Sequence, residues 1–506
     1  MQGKKKYQDK RIPSFRLSER VPRDNFYRCL KEVLDLQWLY KATEKYYGTE
    51  GHKSIDPVVF FKLILIGYLE NLLSDRRIIT TVSMRLDLLY FLGYDLDEPL
   101  PWHSTISRTR QLLGEEVFKE LFKRVLRQCA HKGMVKGKRQ AIDSVHVKAN
   151  ASMDSLKEKQ ILEDAEAYAS QLREDTEDIE EKKQTVSSYK HQEVQWHHDW
   201  KDKAYKGQPG SRDKRSKFVS NHTHYSTTDP DARVAVKPGK PRQLNYLGQL
   251  SVDTASHVIT AIQADYASKK DSQCLPSLLE NTLSNLKAQG LKVKEVVADA
   301  AYSSSEALKA LKENKVTGYI PNFGQYKPSR EGFTYYPGGD YYKCSRGVKL
   351  PFKRMKDSHD GAYQMKVYRS SSLDCRHCPL RGSCIGKSDF KKIEDTVDKY
   401  LYDEMHQRLQ TPKARKMKKL RQATVEPVIG TLINFLGMRR VNTRGIKLAN
   451  KCMLVAATCY NLKRLLKYTS EGVENAEKTL AKLFSVLWLL AVQHDRKYNI
   501  VPPVSR

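Results

Sequence analysis

The sequence predicts a mixed α/β chain, with an all-α N-terminal domain followed by an alternating strand–helix core that carries two large inserts. Three observations predict it. Up to about residue 135 the apolar residues recur at helical spacing. From Arg139 onward, short β-branched runs alternate with helical patterns. Two stretches, 150–243 and 322–412, break that alternation with polar sequence or with sequence rich in Tyr, Gly and Lys.

In the helical region, Asp24 precedes a helix carrying Leu30, Val33, Leu34, Leu36, Leu39 and Tyr40. Asp56-Pro57 is an N-cap with proline at the first helical position, and it opens an apolar helix from Val58 to Leu73. Another helix starts near Ser74. Residues 101–110 then form a turn and a short helix that exposes Arg108 and Arg110, a pattern suited to the second helix of a helix-turn-helix and common in small helical bundles as well.

Gly133 and Gly137 close the last of these helices. Ala141, Ile142, Val145 and Val147 then mark a buried strand with Asp143 in its middle. A carboxylate there is costly to bury without a metal or a cationic partner. The reading gains weight from a second such position, because Lys294–Tyr302 again runs a buried strand into an aspartate, Asp299. A helix follows, started by Ser303 with Glu306 three residues on. Strands at 244–253 and 257–264 form a hairpin that joins the Asp143 strand as an antiparallel meander. Asp271 opens a helix ending at Gly290, and Val316–Pro321 is a last strand. The order β-β-β-α-β-α-β, with a final helix bearing Glu426, is the RNase H-like plan. Two strand aspartates and a helix glutamate are the ligand set that a pair of hard divalent cations uses in phosphodiester chemistry. Asp253, Asp271 and Glu306 are competing acids of lower rank, since the first ends a hairpin strand and the others stand at helix starts.

Residues 152–183 hold eleven acids against five bases and read as a solvated helix. Trp196, His197, His198 and Trp200 cluster beyond it with no second ligand set at metal spacing. In the second insert, Cys344, Cys375, Cys378 and Cys384 have the spacing of a tetrathiolate Zn²⁺ site. Cys29, Cys129, Cys274, Cys452 and Cys459 read as core fillers.

The chain has 506 residues, 89 Lys and Arg against 59 Asp and Glu, and a net charge of +30, which points to a polyanionic partner. Six of the nine residues from Lys413 to Arg421 are basic, directly before Glu426. Lys416, Lys418, Lys419 and Arg421, with Arg439, Arg440 and Arg444 after the helix, are the expected phosphate contacts. The basic start, Met1-Gln-Gly-Lys-Lys-Lys, has no apolar core behind it and reads as lacking a secretory leader. A helix from Ala476 to Val492 is expected to pack on the core or on a second subunit.

These residues together resemble a bacterial insertion-sequence transposase of the DDE class with an InsH-type helical N-terminal domain. The resemblance is carried by Ser54-Ile-Asp-Pro57, His103-Ser-Thr-Ile-Ser-Arg108, Ala141-Ile-Asp-Ser144 and Thr228-Asp-Pro-Asp-Ala-Arg233. It continues through Val297-Ala-Asp-Ala-Ala-Tyr302, the Cys375 cluster, Val425-Glu-Pro-Val-Ile-Gly430 and Arg444-Gly445. It implies a catalytic triad of Asp143, Asp299 and Glu426 holding two Mg²⁺ ions, with Mn²⁺ tolerated. It also implies double-stranded DNA as partner (terminal inverted repeats and target), a homodimer on DNA, and a cytoplasmic, nucleoid-associated setting without a membrane. Related enzymes often carry a lysine two turns after the glutamate, where Ile433 and Asn434 stand here. The implied domains are 1–135, helical and DNA-binding; 136–470, catalytic; and 471–506, a C-terminal helix and tail. Two other readings stay open: a non-catalytic DNA-binding zinc protein acting as a regulator, and an RNase H-like nuclease or resolvase.

Overall fold

The computed structural model describes residues 16–48, 54–158, 160–161, 185–186, 221, 224–235, 241–322, 326, 328–357 and 364–468. The expected helix at 476–492, residues 162–184 and 187–220, and with them Trp196, His197, His198 and Trp200, lie outside the described residues. The chain divides into two compact units. One holds residues 1–134, 432–438 and 454–506, the other 135–431 and 439–453.

The first unit is helical. Asp56 accepts from the amides of Val58 and Val59 at 2.6 and 3.2 Å, with Pro57 at the first position of helix Pro57–Leu69. That helix is apolar on every side, as befits a segment packed all round. The single helix expected after Asp24 is two, Phe26–Val33 and Trp38–Thr43. Asp35 accepts from the amide of Gln37 at 2.9 Å, and this local turn breaks the helix between them. Asn25, not Asp24, is the cap, taking the amides of Tyr27 and Arg28. Residues 454–468, expected within the catalytic domain, group with this unit instead. They form the second half of helix 446–468, and Leu454, Val455, Ala456, Ala457, Leu462 and Leu465 are buried. Cys459, also buried, points its thiol at the carbonyl of Leu65.

The second unit is built on a six-stranded sheet: β1 Arg139–Lys148, β2 Arg233–Ala235, β3 Gln243–Asp253, β4 Ile259–Tyr266, β5 Glu295–Val297 and β6 Thr317–Tyr319. The order is β6-β5-β1-β3-β2, with β4 also along the far edge of β3. β1, β3 and β4 are the expected antiparallel meander, and β5 and β6 run parallel to β1. Helices Asp271–Lys287 and Ser305–Glu313 connect the later strands. This is the RNase H-like topology. The cap of the second helix is Ser304, which accepts from Ala307, and not Ser303. Asp253 is buried, taking the amide of Gly137 at 2.8 Å and the side chain of Gln140 at 3.0 Å, so it fastens the entry to β1.

Asp229 and Asp231 explain the Thr228–Arg233 motif. Buried Asp229 accepts from the Tyr246 hydroxyl at 2.7 Å and the Gly445 amide at 3.0 Å, and Asp231 accepts from the Ile446 amide at 2.9 Å. Two carboxylates thus cap the start of helix 446–468, where the helix dipole favours negative charge. Residues 153–158 form a 3₁₀ turn and a strand, Leu156–Glu158, paired with His224–Ser226. This corrects the expectation of helix from residue 152, since the cross-strand pairing satisfies the backbone there.

The second insert is built on a sheet. Strands 333–336, 341–344, 349–357, 364–369 and 392–396 make a five-stranded antiparallel sheet in sequence order. Its own core is Tyr342, Leu350, Tyr368 and Ile393. The alternation that makes it a sheet is carried by tyrosines, whose polar hydroxyls mask the pattern.

Candidate active site

β1 and β5 pair in parallel with Gln140 beside Val296 and Ala141 beside Val297. Asp143 and Asp299 each lie two residues beyond the last pair, Ala141 and Val297, and the Asp299 backbone is still extended (φ −81°, ψ 179°). Side chains two apart share a face and neighbouring strands lie about 4.8 Å apart, so the two carboxylates are neighbours on one side of the sheet. Asp143 is largely buried and Asp299 half-buried. Oδ1 of Asp143 takes the Ser144 amide at 2.8 Å, and Oδ1 of Asp299 takes the Ala301 amide at 3.0 Å.

The counter-charge comes from the helix Pro412–Phe435. Nη1 of Arg421 donates to Oδ2 of Asp143 at 2.8 Å, with both side chains mostly shielded from solvent. Burial still pushes the Asp143 carboxyl above its ordinary range, with Arg421 opposing and Asp299 adding to the rise. Asp299 is likewise raised by burial, with Arg421 opposing and Asp271 reinforcing. Beneath them lies Tyr302, fully buried, whose hydroxyl donates to Gln249; Gln249 in turn donates to Asp271 at 2.7 Å. Burial and the charges of Asp271, Asp143 and Asp299 hold the Tyr302 hydroxyl in its protonated form.

Glu426 is not gathered into this cluster. It is exposed and lies five residues after Arg421, about 140° round the helix. The face that Arg421 shares is filled by buried Ala414, Met417, Thr424, Val425 and Val428. Among the described residues no three His, Cys, Asp or Glu side chains converge as a metal-holding group. That applies to the cysteines as well: Cys344 packs against the tyrosine core of the insert sheet, and the Cys375 thiol lies 3.1 Å from the Ser370 hydroxyl. Of the expected core fillers, Cys129, Cys274, Cys452 and Cys459 are buried, whereas Cys29 is only partly covered.

Two expected DNA contacts are turned inward. Arg110 is buried and forks onto Asp75, at 2.7 and 3.1 Å, because a guanidinium under the helix His103–Leu112 needs a carboxylate partner. Arg421 is engaged with Asp143. Arg108, Lys416, Lys418, Lys419, Arg439, Arg440 and Arg444 are exposed. Arg440 donates to Asn150 at 2.7 Å, and its segment runs beside the end of β1. The sequence reading missed Arg421 as an active-site group, and with it the Tyr302–Gln249–Asp271 chain. The Arg421 signal was present as a basic residue on the buried stripe of its helix.

Known families match both ends of the chain. Residues 15–112 match the family described as Transposase domain (DUF772), and residues 343–466 match the Transposase DDE domain family, a span that includes Glu426. The chain is a DDE transposase. No curated protein matches it. As a DDE transposase it performs metal-dependent DNA cleavage and strand transfer, and its partner is DNA. Among the described residues no helix is long and apolar enough to cross a membrane.

Proposed function

We propose that Asp143 and Asp299 are the core ligands of the divalent-ion site of this transposase, and that Glu426 completes it once DNA is engaged. The observation that carries this is the parallel pairing of β1 and β5, from which Asp143 and Asp299 each follow by two residues, with the Arg421 cation on Asp143. The donors suit Mg²⁺, a hard ion that takes carboxylate oxygens, and Mn²⁺ by the same chemistry. Bound there, a pair of ions would supply Lewis acidity to the attacking and leaving oxygens of the phosphodiester. The chain's own contribution is orientation. Amides of Ser144 and Ala301 fix one oxygen of each aspartate, while Asp271, held by Gln249, adds negative charge near Asp299.

Pro427 stands inside the helix directly after Glu426. It has no N–H to give the carbonyl of Ala423, so the helix is weakened where Glu426 has to turn inward. One observation favours a second reading of the third acid: Asp271 already acts electrostatically on Asp299 and Tyr302. The four insert cysteines do not converge, and no zinc enters the proposed chemistry.

The exposed cations Arg108, Lys416, Lys418, Lys419, Arg439, Arg440 and Arg444 are assigned to phosphate contacts at element ends and target. The working assembly is a homodimer on the DNA of a bacterial nucleoid, since an element presents two ends. Cutting of a labelled element-end duplex with Mg²⁺ and with Mn²⁺ tests the reading. Protein that binds the duplex and cuts it with neither ion overturns it.

A further inference from the structure

The insert sheet has two unlike faces. Paired residues of antiparallel strands share a face, and successive residues alternate. One face carries Tyr335, Tyr342, Leu350, Tyr368 and Ile393, and its charges are satisfied internally. There Lys366 pairs with Asp340 at 2.8 Å, and Asp395 takes Arg330 and the Tyr342 hydroxyl. The other face presents Lys343, Lys349, Arg354 and Arg369, all exposed. Among the described residues no carboxylate stands within ion-pair distance of these four. Its acid, Glu394, is taken by Lys392 and Lys356.

The register makes this face costly without a partner. Lys343 lies directly opposite Lys349, and Arg369 directly opposite Lys392. Like charges directly opposed across a strand pair destabilise a sheet. Rings are interleaved with the cations: Lys349 sits 5.1 Å over Tyr341, which stacks on Tyr336 at 5.1 Å, and Arg369 sits 3.9 Å over Phe390. Such contacts hold the cationic heads at fixed places on the sheet.

We propose that this face of the insert sheet binds the phosphate backbone of duplex DNA. The proposal rests on the DNA-acting reading above and adds a contact surface to it. A row of phosphates relieves the Lys343–Lys349 opposition, which no acid of this face offsets, and the sheet keeps the cations spaced to meet it. A membrane surface fits less well, because the exposed side chains of this face are overwhelmingly cationic, with Tyr336 the one large exposed apolar ring.

The test uses the full chain and a random-sequence duplex. For the Lys343→Ala/Lys349→Ala/Arg369→Ala variant, the slope of log affinity against log salt should become shallower by about 2 to 3, close to 0.9 for each lost phosphate contact. Lysine acetylation of the wild type, read by mass spectrometry, gives a second measurement that does not depend on how the variant folds. Lys343 and Lys349 should be protected by the duplex. An unchanged slope in a folded variant, or equal acetylation of both lysines with and without duplex, overturns the proposal while leaving the transposase reading intact. Protection by anionic lipid vesicles and not by duplex assigns the face to a membrane and overturns it as well. A wild type that binds no duplex at low salt fails the broader reading instead.

Discussion

Arg421 and Asp143 meet at 2.8 Å, a helix guanidinium closing on the central carboxylate of the sheet. Arg421 also acts on Asp299, so one side chain supplies the positive charge that the aspartate pair requires in the absence of an ion. Removing it should have opposite effects on stability and on metal affinity. Arg421→Gln leaves a buried carboxylate without its partner, a loss on the order of 3 kcal/mol. The same change removes a competitor for the site, so Mn²⁺ measured by calorimetry or electron paramagnetic resonance should bind the variant more tightly than the wild type. Equal or weaker Mn²⁺ binding would show that Arg421 does not occupy the ion's place.

The raised carboxyls make a pH prediction with a definite sign. Burial holds Asp299 above its unfolded-state value, so protonation favours the folded form. That contribution is fully present below the unfolded pKa, about 3.9, and is lost as pH rises through the higher folded value. In metal-free protein, Asp299→Asn should therefore melt higher than wild type at neutral pH, with the gap closing toward acid. Added Mg²⁺ should raise the melting temperature of the wild type and leave Asp299→Asn nearly unmoved. Parallel pH profiles for the two proteins would contradict the electrostatic account.

In the helical unit, Arg108 and Arg110 should separate cleanly. Arg110→Ala strips a buried, forked partner from Asp75 and should cost about 3 kcal/mol, seen as a lower melting temperature of the helical unit. Arg108→Ala, at an exposed position, should leave melting unchanged and weaken duplex binding, with a shallower salt dependence. A destabilised Arg108→Ala variant with normal binding would reverse the two roles.

The insert sheet has its own apolar core, so it should not depend on its thiols. Tyr368→Ala removes a fully buried ring and should loosen the insert by about 3 kcal/mol, read as faster proteolysis between residues 333 and 396. Cys378→Ser should change neither proteolysis nor melting, and chelator should have no effect on either. A chelator-sensitive insert would mean that metal, not the tyrosine core, organises it.

The elements legible in the sequence are those fixed by local chemistry. Asp56-Pro57 caps its helix, the β-branched runs around Asp143 and Asp299 form adjacent strands, and Gly290 takes the left-handed backbone that ends its helix. What escaped was set by tertiary packing. Arg110 has the sequence appearance of a surface cation and is buried only because Asp75 lies across from it. Arg421 looks like one member of a basic run, and only the helix face it shares with Met417, Thr424 and Val425 directs it inward. The insert strands were hidden because their alternation is written in tyrosine and lysine, which satisfy core and solvent alike.

The most direct test of the central claim is cleavage of a labelled element-end duplex by wild type, Asp143→Asn, Asp299→Asn, Glu426→Gln and Asp271→Asn, with Mg²⁺ and under matched DNA binding. The first three variants should bind normally and cut about a thousandfold more slowly or worse, since the ions they hold supply several kcal/mol of transition-state stabilisation. Asp271→Asn, held back from the ions by Gln249, should retain most activity. Near wild-type cutting by Asp143→Asn or Asp299→Asn would contradict the account, and near wild-type cutting by Glu426→Gln with a collapse in Asp271→Asn would move the third ligand from the helix to Asp271.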